Sequence, residues 1–137
     1  MNQADINAIQ EKLGIELPTF YVETMLNYPF PKDSFGEEFM LPNSPDILLD
    51  CNGVFSKEDK CFAVGSDGGE FLYYIKLNGK ETVYVFDLEK SDVHNSIEAH
   101  SWKAYLKKIK KVQKEIEEDE RQEAERKKNK KWWQFWI

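Results

Sequence analysis

Several residues have types that catalysis and ligand binding use. Gly65-Ser66-Asp67-Gly68-Gly69 follows an apolar run, as a phosphate-cradling loop would. No Lys-Ser/Thr follows it, no helical pattern opens after it, and Asp67 and Glu70 would repel a phosphate. A turn between strands is the better reading. His94 and His100 stand six apart, and two imidazoles without further ligands make no metal site. Asp92, His94 and Ser96 are neighbours in sequence, but catalytic triads are assembled by the fold and recognised by geometry. Cys51 and Cys61, ten apart, match neither a Cys-x-x-Cys redox pair nor a metal spacing, and read as free thiols. No two carboxylates stand out as an acid and base, and Asp67-Gly68-Gly69-Glu70 lacks the alternating oxygens of a calcium loop. The expectation is a protein that is not an enzyme and takes no metal and no cofactor.

The elements that carry these residues read as helices, then strands, then a long helix. Ile6, Ile9 and Leu13 recur at helical spacing over Ala4–Leu13, with Asp5 in the first turn and Gly14 suited to the left-handed stop. Pro18 fits the first position of a second helix holding Phe20, Tyr21, Met25 and Leu26, which must end before Pro29. Residues 29–58, broken by four prolines, read as ordered loop with short strands or turns. Residues 61–88 read as a meander. Phe71, Tyr73, Ile75 and Leu77 share one face, with Leu72, Tyr74 and Lys76 on the other, and Asn78-Gly79 predicts a tight hairpin with positive φ. After Asp92–Ser96 the spacing of Trp102, Tyr105, Leu106, Ile109, Val112 and Ile116 predicts one apolar stripe on a helix.

Length and charge bound the rest. The 137 residues, 41% hydrophobic and 14% aromatic, suffice for one core and argue against wholesale disorder. No run of about 20 apolar residues is present. The opening residues lack the pattern of a signal peptide, and two cysteines suit a reducing compartment, so a cytoplasmic location is expected. Residues 1–106 carry 18 acids and 8 bases, whereas residues 107–137 carry 7 and 11. An acidic body argues against direct nucleic-acid binding and suits a basic protein partner. Beyond Ile116, residues 117–131 hold one apolar residue, Ala124, and the last six are Trp132-Trp133-Gln134-Phe135-Trp136-Ile137. Residues 1–116 therefore read as the domain and residues 117–137 as a charged helical extension. Its basic, Trp-rich end suits a membrane interface, nucleic acid or a protein partner, or rings that fold back over a sheet or complete a dimer.

Three stretches, in order, resemble the SUKH superfamily, which includes a yeast cell-wall-synthesis regulator and many bacterial immunity proteins. The first is Ile9 to Leu26, with Leu13-Gly14, Leu17-Pro18, Phe20-Tyr21 and Met25-Leu26. The second is Val64-Gly65-Ser66-Asp67-Gly68-Gly69-Glu70, followed by Tyr73-Tyr74 and Val83-Tyr84-Val85-Phe86-Asp87. The third is Ile97-Glu98-Ala99-His100-Ser101-Trp102-Lys103-Ala104-Tyr105-Leu106, similar to the start of the family's last helix. The resemblance implies a single α+β domain, a mainly antiparallel sheet flanked by N-terminal helices and a long C-terminal helix. It also implies a cytoplasmic immunity protein that binds a cognate toxin domain, often a nuclease, and neutralises it by stoichiometric occlusion. The yeast relative implies a regulatory scaffold as the alternative. With a basic toxin as partner, the expected contacts are Asp33, Glu37 and Glu38 in the loop region and Asp67, Glu70 and Tyr74 around the glycine turn.

Overall fold

Ile6 and Ile9 are buried on one side of α1 (Gln3–Leu13). The helix starts one residue earlier than its apolar spacing suggests, because Asn2 caps it. The Asn2 side chain accepts from the Asp5 amide at 2.9 Å, and the Asp5 carboxylate accepts from the Asn2 amide at 3.1 Å. Two amides that a helix start leaves unpaired are thereby satisfied. Gly14 ends α1 in the left-handed region. Pro18 is the cap of α2 (Thr19–Leu26) rather than its first residue, and α2 stops at Asn27, ahead of Pro29. The computed structural model describes residues 1–89 and 92–134.

Between α2 and the sheet the chain is helical in short pieces. Of the short strands or turns expected over residues 29–58, turns form and strands do not. A π-helical turn spans Gly36–Met40, α3 spans Pro45–Cys51, and 3-10 turns cover Asn52–Val54 and Lys57–Asp59. Ser44 caps α3, with Pro45 at its first position. Those start signals stand in the sequence, but seven residues with only Leu48 buried are too few to show a period.

Four antiparallel strands follow in sequential order: β1 (Cys61–Ser66), β2 (Phe71–Lys76), β3 (Val83–Asp87) and β4 (Asp92–Ala99). β4 is a strand that the spacing of residues did not predict, and it delays the expected turn to helix after Ser96 until Trp102. Val83 pairs with Ala99, Tyr84 with Ile97 and Val85 with Ser96, so β4 supplies the partners that the outer edge of β3 would otherwise lack. The expected tight hairpin is also corrected. Ile75 pairs with Val83, leaving a loop of residues 77–82 between the strands. Gly79 alone has positive φ, +81°, while the Asn78 side chain accepts from the Lys80 amide.

The alternation along β2 divides two cores. Tyr73 and Ile75 join Phe62, Val64 and Val83 under α1, α2 and α4 (Trp102–Gln134), whereas Leu72 and Tyr74 join Ala63 and Phe86 on the opposite face. Phe55, arriving from the 3-10 turn, covers that second face, its ring 5.3 Å from Tyr74 and 5.8 Å from Phe86. Ser101 opens α4 by accepting the Ala104 amide at 3.1 Å. Trp102, Tyr105 and Ile109 are buried against the main core, Val112 and Ile116 are half-buried, and residues 117–127 are exposed throughout. The fold is a single α+β domain, an antiparallel sheet with a long helix at its C-terminal side.

Candidate partner-binding site

The glycine segment that resembled a phosphate loop is a seat for another part of the chain. A Cβ on Gly65 would lie 2.1 Å from the Met40 carbonyl oxygen, so only glycine lets the π-helical turn rest on β1. The strand bulges at this point, between Ala63 and Gly65. Two phenols hold the end of the turn: Tyr105 donates to the Met40 carbonyl and Tyr28 to the Leu41 carbonyl. Burial pushes both phenols well above their ordinary pKa, so they remain neutral donors. Gln113 on α4 accepts from the Gly36 amide at 3.2 Å. Phe39 packs on Phe35 with centroids 5.1 Å apart, and lies against Gly68 in the β1–β2 turn. The loop, the glycine turn and α4 thus converge, although 77 residues separate Gly36 from Gln113.

This convergence brings together most of the expected contact residues. Asp33 is exposed, has a φ of +62°, and donates its amide to the Glu37 carboxylate at 3.1 Å. Glu37 is therefore half-buried and shapes the loop, while Glu38 is exposed. Asp67 accepts from the amides of Gly69 at 2.9 Å and Phe71 at 3.1 Å, which closes the turn and leaves its carboxylate half-buried. Glu70 is exposed beside it. Tyr74 is a correction. Its exposure is 0%, on the second core face, so it offers no surface to a partner. Strand alternation turns Tyr73 toward the site instead, and burial, with Glu98 and Asp67 nearby, pushes its phenol up to about 12.

Two neighbouring clefts share Phe35. The first, of 380 Å³, has Met40, Tyr73 and Val112 among its walls, with Asp67, Glu98 and Glu115 against Lys108 and Lys111. Lys108 is committed to Glu98, donating to its carbonyl and, at 3.1 Å, to its carboxylate. The second, of 260 Å³, sets Asp33, Glu117 and Glu120 against Lys32, beside Ile116 and Gln113. Glu98, Glu115, Glu117 and Glu120 were not among the expected contacts. The last two carried a signal in the sequence: Gln113, Ile116, Glu117 and Glu120 fall on one helical face, continuous with the apolar stripe. The arrangement is a net acidic surface with apolar floors, suited to cationic and aromatic side chains of a partner.

Elsewhere the candidates for chemistry are quiet. Among the described residues no cluster of His, Cys, Asp and Glu is placed to hold a metal ion. Cys51 and Cys61 are free and half-buried, and burial, with Asp50 and Asp59 respectively, raises both thiols, the opposite of activation. His100 is exposed, and the His94 side chain lies outside the described residues, as do Phe135, Trp136 and Ile137. No described helix is long and apolar enough to cross a membrane. No protein-family model matches the chain, and comparisons with curated proteins and with solved structures find no match.

Proposed function

We propose that the protein is an immunity protein of the SUKH type, which binds a basic toxin domain and neutralises it by covering its working surface. The observation that carries this reading is the pair of acidic, apolar-floored clefts at the meeting of loop, turn and α4. Burying cationic and aromatic side chains in such clefts gives a tight anchor, and the surrounding carboxylates speed encounter with a positively charged partner. The resemblance across residues 9–106 supplies the partner class. Occlusion requires no turnover, only complementary charge and apolar contact, which these clefts offer.

The test is the association rate with the toxin domain encoded beside this protein, measured against ionic strength. Glu117→Lys/Glu120→Lys lies at exposed positions, so the fold is retained, whereas Glu37→Lys/Glu38→Lys also gives up the Asp33 amide contact, and its rates are read only once its circular dichroism and unfolding midpoint match the wild type. Each double variant is expected to slow association by about tenfold at low salt and to flatten the salt dependence. Unchanged slopes in both would remove this face from the interface. A neighbouring toxin that does not bind at all would favour the alternative, a non-catalytic regulatory scaffold.

A further inference from the structure

Lys57-Glu58-Asp59-Lys60 holds two acids between two bases, and the fold sorts them. Lys57–Asp59 is a 3-10 turn, in which side chains three apart eclipse. Lys57 and Lys60 therefore share a side, and both line a cleft of 450 Å³. Neither Glu58 nor Asp59 lines it, and the Asp59 carboxylate is spent on the turn, accepting from the Ser56 amide at 2.8 Å. Ile15, Leu17, Pro18 and Leu77 give the cleft apolar walls, and Glu16 is the one carboxylate among the described residues that line it. The cleft lies at the end of the sheet opposite the acidic face. Lys60 precedes β1 and Leu77 follows β2, whereas the glycine turn joins the other ends of the same two strands.

Both lysines are held in place. The stem of Lys57 lies across Gly14, where a Cβ would sit 3.4 Å from its Cε and 3.5 Å from its Nζ. Lys60 has a φ of +52°, a conformation that glycine or asparagine adopts at less cost, and its carbonyl accepts from the Leu77 amide at 2.8 Å. Among the described residues neither ammonium donates a hydrogen bond or makes an ion pair. Helix α2 begins at the same wall with Pro18 as its cap and no side chain bonded to its start, so its opening amides add a partial positive charge. Two eclipsed cations without a counter-charge thus face one cleft, in a body where residues 1–106 carry 18 acids against 8 bases.

We propose that this cleft binds a small phosphate monoester whose organic part is apolar. At neutral pH such a phosphate carries close to two charges, which matches two ammoniums, whereas a single carboxylate would satisfy one. The organic part covers Ile15 and Leu77, both half-buried, which inorganic phosphate alone would leave wet. This inference does not rest on the toxin reading and is tested with no toxin present.

The experiment is a nuclear magnetic resonance titration of the full-length chain with phenyl phosphate, with inorganic phosphate and phenol as separate arms. The amides of Gly14, Thr19 and Gly79 report from three walls of the cleft. Phenyl phosphate should move all three saturably at millimolar concentration or below, and each half of it should bind about tenfold more weakly or worse. Lys57→Gln removes the charge while leaving a stem to lie across Gly14, and should weaken binding about tenfold. Lys60→Gly is the sharper variant, because glycine suits the backbone there. Its unfolding midpoint should hold or rise while its binding weakens by a similar factor, about tenfold. A lower midpoint would make Lys60 part of the fold and overturn its place in the site. Shifts that stay linear with concentration, that fall equally on the amides of α4, or that survive both substitutions unchanged would overturn the proposal. An alanine-flanked phosphotyrosine peptide that binds more tightly than phenyl phosphate would overturn the small-molecule assignment and make a phosphorylated chain the ligand.

Discussion

Asn52 and Tyr21 show how differently two buried polar side chains behave. The Asn52 amide accepts from the Ala63 N–H at 2.7 Å and donates to the Ala63 carbonyl at 3.1 Å and the Leu48 carbonyl at 2.8 Å. It stands in for a neighbouring strand on the outer edge of β1, and ties α3 to the sheet. Asn52→Ala would leave a buried N–H without a partner and is expected to cost about 1–3 kcal/mol in urea unfolding. The Tyr21 hydroxyl, by contrast, is buried with no hydrogen-bond partner among the described residues. Tyr21→Phe removes that desolvated group while keeping the edge-to-face contacts of the ring with Phe62 and Trp102, and is expected to gain about 1 kcal/mol in the same measurement. Neither role was readable from sequence. Asn52-Gly53 has the composition of a turn, and a hydroxyl's partner depends on residues far along the chain. The same contrast separates two glycines. Gly79 was legible as a positive-φ position because that is a local property. Gly65 is required by a carbonyl 25 residues earlier, and local chemistry holds no trace of it.

Elements were legible where a period runs long enough to be seen. The ends of α1 and α2, the two faces of β2 and the apolar stripe of α4 follow from spacing. Short α3 did not, and β4 was lost because Asp92–Ser96 is polar and its identity as a strand comes from pairing with β3. The acidic site was half legible. The loop and turn carboxylates could be named, but their convergence with α4 depends on the tertiary seat at Gly65. The docking of α4 itself concentrates on Trp102, 4% exposed, whose indole donates to the Thr24 hydroxyl at 2.8 Å and whose ring meets Phe20, Tyr21 and Tyr105. Trp102→Ala should destabilise by about 3–5 kcal/mol through the cavity it leaves. Trp102→Phe, which retains most of the packing, should lose far less. Equal midpoints for Trp102→Ala and wild type in a denaturant titration would show that α4 is held elsewhere.

Tyrosine burial couples the whole molecule to alkaline pH. Tyr21, Tyr28, Tyr73, Tyr74 and Tyr105 come from α2, the following loop, β2 and α4, and burial is the leading cause of a raised phenol pKa in each. Tyr73 and Tyr74 are pushed up to about 12, against about 10 in an unfolded chain. A folded pKa above the unfolded one means that the native state holds its proton while the unfolded state releases it. The stabilisation is therefore fully present below pH 10 and is lost as the pH rises from there through the folded values. Over that window each such group tilts the stability curve by about 1.4 kcal/mol per pH unit, and the tilts add because the groups share the two cores. Stability should thus show no loss from these phenols between pH 7 and about pH 9.5, then fall steeply. The phenols in the core cannot ionise in place, so tyrosinate absorbance should rise together with the loss of β-sheet circular dichroism, in one cooperative step. Tyr21→Phe removes one contributor, and its stability should fall less steeply above pH 10. Tyrosinate absorbance that rises smoothly around pH 10 while the circular dichroism stays native would mean that water reaches these rings in the folded state, and that neither core is closed.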